Sequence, residues 1–383
     1  MKIFAGKLSS NTVISITLLS ITSLLFLVGC NPEDPQSTFG DKGPIAKQQK
    51  DLFILIFWVA AFVFIAVEGA LIFLLFKYRY KDDKLPYQSH GNTKLEVIWT
   101  IIPAIILAVI AVPTIQVIWD QQNGVPDDMG EPLRVEPLAH QWWFEFRYPD
   151  LEIVTANELH IPTDRPVSIK LGSDDVIHSF WIPKLAGKLD MIPLNENYMW
   201  LMADEPGMYY GQCAEFCGVA HALMRFRAIA ETEEDFDKWV DGMRTEPKPP
   251  ITDSEKNGMQ VFMGKCSMCH TKDSYSSGSY AREIKTQKSR WEIWLNDTEN
   301  APQVSAPNLT HFGLRNTIGA GIKEFSKENP ENLINWIKDP SSIKIGNRMH
   351  KHASIYTNEE NKLSAKEIQD VSNYLLSLKP NME

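Results

Sequence analysis

Two apolar stretches limit what this chain can fold into more than any other feature. Leu52 to Phe76 is interrupted by a single charge, Glu68, and Val97 to Trp119 carries none. About twenty such residues cross a bilayer as a helix. The connection, Lys77-Tyr-Arg79-Tyr-Lys81-Asp-Asp-Lys84 and on to Lys94, is rich in lysine and arginine, which places it in the cytoplasm and both outer flanks on the other side. Residues 51–120 therefore read as a transmembrane hairpin. Pro103 and Pro113 are tolerated in a membrane helix where neighbours satisfy the freed carbonyls. Glu68 either faces a partner or water inside the span, or sits protonated near a helix end.

The N-terminus agrees with this topology. Lys2 and Lys7 precede an apolar run ending Leu27-Val28-Gly29-Cys30, so 1–29 read as a signal peptide. The run's last four residues resemble the bacterial lipobox, which implies that Cys30 becomes the lipid-bearing first residue. The alternative is a third span with Cys30 free. Residues 30–50 are polar and read as a loose extracytoplasmic segment. The net charge of −10, with no basic stripe, argues against nucleic acid as a partner.

From Leu133 onward short aromatic-rich alternations follow one another between Pro, Gly and Asp signals. Arg134 to Tyr148, Glu158-Leu-His-Ile-Pro, Pro166 to Leu171, Tyr198-Met-Trp-Leu-Met and Met224 to Ile229 predict an all-β sandwich or barrel over 121–235. Before the last of these strands stands Cys213-Ala-Glu215-Phe-Cys217-Gly-Val-Ala-His221-Ala-Leu-Met224, with His178 upstream. Two thiols, two imidazoles and a thioether suit redox copper better than structural zinc. Five donors are one too many for a closed tetrahedral zinc, so one is idle or two metal ions share the thiolates. The spacing of Cys213 and Cys217 also suits a disulfide.

Beyond an acidic helix near Glu231 to Val240 the proline-rich Thr245-Glu-Pro-Lys-Pro-Pro marks a linker, 236–252, and the chain turns helical over 253–383. Cys266-Ser-Met-Cys269-His270 is a haem c attachment run, its cysteines forming thioethers and His270 serving as proximal ligand. Pro307-Asn-Leu309 and the closing helix look like small cytochromes c. That helix opens on a capping box, Ser364 to Glu367, and sets Ile368, Val371 and Leu375 on one face to pack near Phe262. Met349 matches the family position of the distal ligand, although His350 follows it where relatives commonly have proline; His350, His352 and His311 are rival donors. All five cysteines then have a use: lipid, copper and haem.

The hairpin, Gln141-Trp142-Trp143-Phe144, Asp175-Val-Ile-His178, Gly187-Lys-Leu-Asp190 and the Cys213 to Met224 motif together resemble subunit II of the haem-copper cytochrome c oxidases. The resemblance implies a multidomain membrane protein with a two-helix hairpin, an all-β cupredoxin-like sandwich and a C-terminal all-α cytochrome c domain. It implies a dinuclear copper centre, CuA, with Cys213 and Cys217 bridging both ions, His178 and His221 capping one each, and Met224 and the Glu215 carbonyl as weak ligands. The Glu215 side chain is expected at a magnesium site shared with catalytic subunit I. Trp142 is expected where electrons enter from cytochrome c, with Trp143 on the opposite face of the strand, and Glu96 at the mouth of a proton pathway. The expected function is electron transfer from cytochrome c, through haem c and CuA, to a subunit that reduces O2 to water with proton translocation. The rival readings are a CuA subunit of a nitric oxide reductase, a copper-delivery module, and a quinol oxidase subunit II, against which the two cysteines argue.

Overall fold

The computed structural model describes residues 14–15, 17–19, 21–22, 31–79, 91–270 and 306–381. Cys30, most of the signal-peptide stretch and part of the basic connection lie outside the described residues.

Two long helices come first, α1 (Pro44–Lys77) and α2 (Thr93–Gln122). No residue of α2 is buried, and in α1 only Ile45 and Ala46 are. A helix apolar all round and uncovered by its own chain needs lipid or partner helices around it. The Asn92 side chain caps α2 by accepting from the amides of Lys94 and Leu95, which leaves Glu96 in the first turn, where the helix dipole favours a carboxylate.

The stretch expected to be loose before the hairpin is packed instead, and α1 begins within it. The Lys42 amide donates to the Lys184 carbonyl at 2.7 Å and the Asp204 amide to the Lys42 carbonyl at 2.9 Å, while Ile45 joins the core of the sandwich. Gly43 permits this approach, since a Cβ there would lie 2.2 Å from the Met202 carbonyl oxygen. Gln49 of α1 bonds Gln121 of α2 at 3.0 Å. The sandwich thus sits directly on the helix ends.

Two five-stranded sheets make the sandwich. One runs β3 (Ile153–Ala156), β2 (Trp143–Tyr148), β1 (Leu133–His140), β5 (Val167–Ser173), β8 (Asn197–Leu201); the other runs β4 (Glu158–Pro162), β10 (Arg225–Glu231), β9 (Gly207–Cys213), β6 (His178–Trp181), β7 (Leu189–Met191). Phe144 and Phe180 pack against Phe226 between the sheets, with ring centroids 4.8 and 4.9 Å from it, all three fully buried. The alternation from Arg134 to Tyr148 is a hairpin and not one strand: His140 pairs with Trp143, so Gln141 and Trp142 form the turn. Neither residue is a usual turn former, so the sequence hid the break.

Helix α3 (Glu233–Arg244) buries Phe236, Val240 and Met243 in the sandwich core. Residues 236–244 of the expected linker therefore belong to the sandwich, and the spacer shortens to Thr245–Thr252. The C-terminal domain follows with α4 (Asp253–Lys265), the small ribbon β11 (Thr317–Ile318) and β12 (Lys323–Glu324), α5 (Glu331–Lys338), α6 (Arg348–His352), α7 (Ser354–Thr357) and α8 (Ala365–Ser377). Capping boxes open both α4 and α8. Ile368, Val371 and Leu375 share one buried cluster with Phe262, as their spacing predicted.

The spacer does not leave the domain free. Glu158 Oε1 accepts from the Asn316 amide, the Thr317 amide and the Thr317 hydroxyl at 3.0, 2.8 and 2.7 Å. Arg227 donates to the Gly321 carbonyl at 2.7 Å.

Helices α4 and α8 cross at Gly258, where a Cβ would stand 2.0 Å from the Asp370 carbonyl oxygen. Gly258→Ala is expected to destabilise the C-terminal domain by roughly 1–3 kcal/mol through overpacking. Thermal unfolding followed by circular dichroism checks this: the helical transition falls in temperature while the β transition stays.

Candidate metal centre and adjoining cavity

Strand β9 delivers Cys213 and β6 delivers His178; the loop from Ala214 to Met224 supplies the rest. The Cys213 amide donates to the Met224 carbonyl at 2.9 Å and the Ala214 amide to the Ser179 carbonyl at 3.3 Å, which closes the loop and ties it to β6. Gly218 turns the chain at φ +118, a conformation that favours glycine, and a Cβ there would meet the Trp142 ring at 3.1 Å.

Loop and strands bring the predicted donors together. A nitrogen of His178 and the sulfurs of Cys213 and Cys217 lie within 4.8 Å of one another. Cys213 Sγ is 3.8 Å from His178 Nδ1 and 3.2 Å from the Glu215 carbonyl oxygen, while Cys217 Sγ is 3.6 Å from His221 Nδ1 and 3.8 Å from Met224 Sδ. The donors fall into two sets, each around one sulfur. The sulfurs are 3.7 Å apart, too far for a disulfide, and both thiols are free. His178, Cys213, Cys217 and Met224 are all buried. The hydrogen bond from Cys217 holds the Cys213 thiol well below its ordinary value, with His178 helping, against the rise that burial alone would cause. His178 Nε2 donates to Asp175 Oδ1 at 2.8 Å. This fixes the ring with Nδ1 turned to the sulfur, as a metal-binding histidine requires. The Glu215 carboxylate stays at the surface, 4.0 Å from Lys188.

Gln141 and Trp142 converge on the Cys217 carbonyl, the amide of Gln141 at 2.8 Å and the indole N–H of Trp142 at 3.0 Å. Trp142 also lines a cavity of about 220 Å³, whose wall includes Cys266, Cys269, His270 and Met349. Trp143 lines it too, so the two tryptophans do not part to opposite faces: Trp142 lies in the turn, outside the alternation. His270 donates from Nδ1 to the Pro307 carbonyl at 2.8 Å, which leaves Nε2 as the nitrogen able to bind a metal. Burial holds this imidazole below its ordinary value.

Of the rival donors, His352 shares the cavity with Met349. His311 is bonded to the Thr245 carbonyl at 2.8 Å, and His350 stacks on Tyr356 beside Asp339; neither lines the cavity. Sulfur and imidazole donors on a mostly apolar cavity fit a haem held by thioethers.

A buried polar group lies beneath Trp143. His140 stacks on its ring at 4.3 Å and reaches Asp174 at 3.0 Å and Glu145 at 3.6 Å. Burial lowers His140, but the two carboxylates outweigh it and raise it to about 9. Sequence reasoning passed over His140. It also missed Gln141 and Asp175, although both stood inside motifs quoted for their neighbours. Lys344 had no signal, its partner Trp142 being 202 residues away.

Family models match three parts of the chain: "Cytochrome C oxidase subunit II, transmembrane domain" over 36–117, "Cytochrome C oxidase subunit II, periplasmic domain" over 152–230 and "Cytochrome c" over 255–379. Cytochrome c oxidase subunit 2 of Alkalihalophilus pseudofirmus is 37% identical over 360 residues, 93% of this chain and 94% of that one. The chain belongs to the cytochrome c oxidase subunit II family. Cytochrome c oxidase subunit 2 of Bacillus subtilis is 34% identical over 95% of this chain and 97% of its own. Quinol oxidase subunit 2 of Bacillus cereus is 33% identical over 63% of this chain and 83% of its own. Membership makes the chain a subunit of an oxidoreductase complex, beside a subunit I. Together with its cytochrome c domain, membership implies copper and haem binding.

The His140 shift has a sign. A base raised from 6.5 to about 9 stabilises the fold fully below pH 6.5, and that contribution is lost as pH rises through about 9. The gap in melting temperature between the wild type and His140→Gln is expected to shrink across this window; a gap independent of pH contradicts the charge assignment.

Proposed function

We propose that this chain is the electron-transfer subunit of a terminal cytochrome c oxidase. It takes electrons from cytochrome c or another upstream donor and serves the haem-copper subunit I, where O2 is reduced to water with proton translocation. The observation that carries this reading is the double role of Trp142, which walls the cavity of Cys266, Cys269 and His270 and is bonded to Cys217 of the metal centre.

Cys213, Cys217, His178, His221, Met224 and the Glu215 carbonyl would together hold a dinuclear copper centre, CuA, their donors already gathered in two sets around the two sulfurs. Cys266 and Cys269 would carry haem c, and His270 and Met349 would supply its iron ligands. When bound, these groups supply one-electron chemistry. The protein's part is to hold their ligands still and dry. Cys213 and His178 are fixed by strands, Asp175 locks the His178 ring, and the fully buried Met224 keeps water from the sulfurs. Rigid ligands limit the rearrangement that an electron's arrival demands.

The remaining assignments belong to the same reading. Trp142 is the relay residue. The Glu215 carboxylate faces outward to offer an oxygen to magnesium at the junction with subunit I, and Glu96 stands at the cytoplasmic start of α2 as a proton acceptor. Cys30 carries lipid, and both redox domains are extracytoplasmic, consistent with the sandwich resting on the helix ends opposite the basic connection. Relatives named cytochrome c oxidase match through the cytochrome c domain, whereas the quinol oxidase relative covers 63% of this chain, which favours a cytochrome donor over quinol.

The full chain in detergent, loaded with copper and haem, is expected to hold two coppers sharing one unpaired electron by electron paramagnetic resonance, and Cys213→Ser to abolish that signal. One copper with a simple four-line pattern, or an unchanged spectrum in the variant, overturns the centre. For the haem, the wild type is expected to show the sulfur-to-iron charge-transfer band, Met349→Ala to remove it and His352→Ala to keep it; a wild type without the band, whose haem spectrum changes in His352→Ala and not in Met349→Ala, makes His352 the ligand.

A further inference from the structure

The turn at Gln141 and Trp142 is gripped from three directions. The Gln141 amide donates to Asp175 Oδ2 at 2.7 Å. Both side chains donate to the Cys217 carbonyl. The third grip comes from the other domain: Lys344, buried to 3% exposure, donates from Nζ to the Trp142 carbonyl and reaches the Gly319 carbonyl at 3.4 Å. Lys344 stands five residues before Met349. The neighbouring Gly346 is seated against Val219 of the copper loop, where a Cβ would lie 2.4 Å from Val219 Cγ1.

Lysine is costly to bury without partners, and here its partners are backbone carbonyls on either side of the domain seam. Trp142 O belongs to the sandwich and Gly319 O to the cytochrome c domain. Other bonds across the seam, Arg227 to Gly321 and Glu158 to Thr317, dock the domains without touching Trp142.

We infer that Lys344 is a positioning residue for electron transfer: the cytochrome c domain uses it to hold the Trp142 backbone so that the indole stays between the haem cavity and the Cys217 carbonyl. The inference rests on the relay reading of Trp142. It adds that the sandwich alone does not fix this residue, and that domain docking and relay geometry are set by the same Lys344 Nζ donor.

The test uses the full chain in detergent, with fluorine-labelled tryptophan and the Trp142 resonance assigned by Trp142→Phe. Lys344→Met keeps the stem and removes the donor. Arg227→Met loosens the same seam and leaves the Trp142 carbonyl bond in place. Lys344→Met is expected to shift and broaden the Trp142 resonance even without copper, and, in the loaded chain, to slow haem-to-copper equilibration after a light pulse by roughly tenfold or more. Both midpoint potentials stay at wild-type values, and Arg227→Met keeps the wild-type resonance and rate. An unmoved Trp142 resonance in Lys344→Met, or an equal shift in Arg227→Met, overturns the inference. If Lys344→Met does not fold, Lys344→Arg decides instead: it retains a charged donor and is expected to keep the wild-type resonance, and a resonance displaced as in free tryptophan counts against the positioning role. A wild-type chain without the paired-copper signal overturns the proposed function, while the copper-free resonance still judges Lys344.

Discussion

Hydrogen bonds from Gln141 and Trp142 to the Cys217 carbonyl join a turn of the first sheet to the ligand loop between β9 and β10 of the second. A loop of this kind is ordinarily the most mobile part of a sandwich. Here its middle is pinned by two donors, its ends by the pairing of Cys213 with Met224, and its one left-handed turn by Gly218 packed on the Trp142 ring. The sulfurs can then stay 3.7 Å apart with no covalent bond between them. That separation is what lets the two donor sets exist side by side.

Asp175 extends the same economy toward the second domain. One oxygen accepts from His178 and the Val176 amide; the other accepts from Gln141 and faces Arg348 at 3.6 Å. A single carboxylate thus orients His178, fixes the turn that carries Trp142 and meets the residue before Met349. Across the seam, directional bonds to backbone carbonyls and amides stand beside apolar contacts such as Trp143 with Ala320. Bonds of that kind define register sharply and add modest net stability. They suit a docking surface whose orientation matters more than its strength.

Much of this was legible in the sequence, for definite reasons. The spans showed because lipid demands long apolar runs, the donors because soft ligands cluster in one short loop, and the haem run because its cysteines and histidine are contiguous. Phe262 with Ile368, Val371 and Leu375 could be paired because helical spacing makes a face. The misreadings share another cause. The Gln141-Trp142 turn lacks glycine and proline, so Trp142 and Trp143 looked like alternate strand positions. Segment 30–50 looked loose because its partners, Lys184 and Leu185, are far along the chain. The linker boundary at 236 cut into the acidic helix because the strands that Phe236, Val240 and Met243 pack against lie far back in the chain. Lys344 was invisible for the most general reason: a buried lysine is recognised by what surrounds it, and Trp142 is 202 residues away.

The spacer explains why a seam with few bonds suffices. Only Thr245–Thr252 separates α3 from α4, and its far side is clipped to the chain's end by the Lys248 amide on the Lys379 carbonyl at 2.9 Å. A short tether raises the effective concentration of one domain near the other to the order of millimolar, so each seam bond has little translational entropy to overcome and can be chosen for geometry. Fusion therefore changes what the interface must do. Two free proteins meeting for each electron need a surface that forms and releases quickly. A tethered pair can keep buried, exacting contacts such as Lys344 on Trp142.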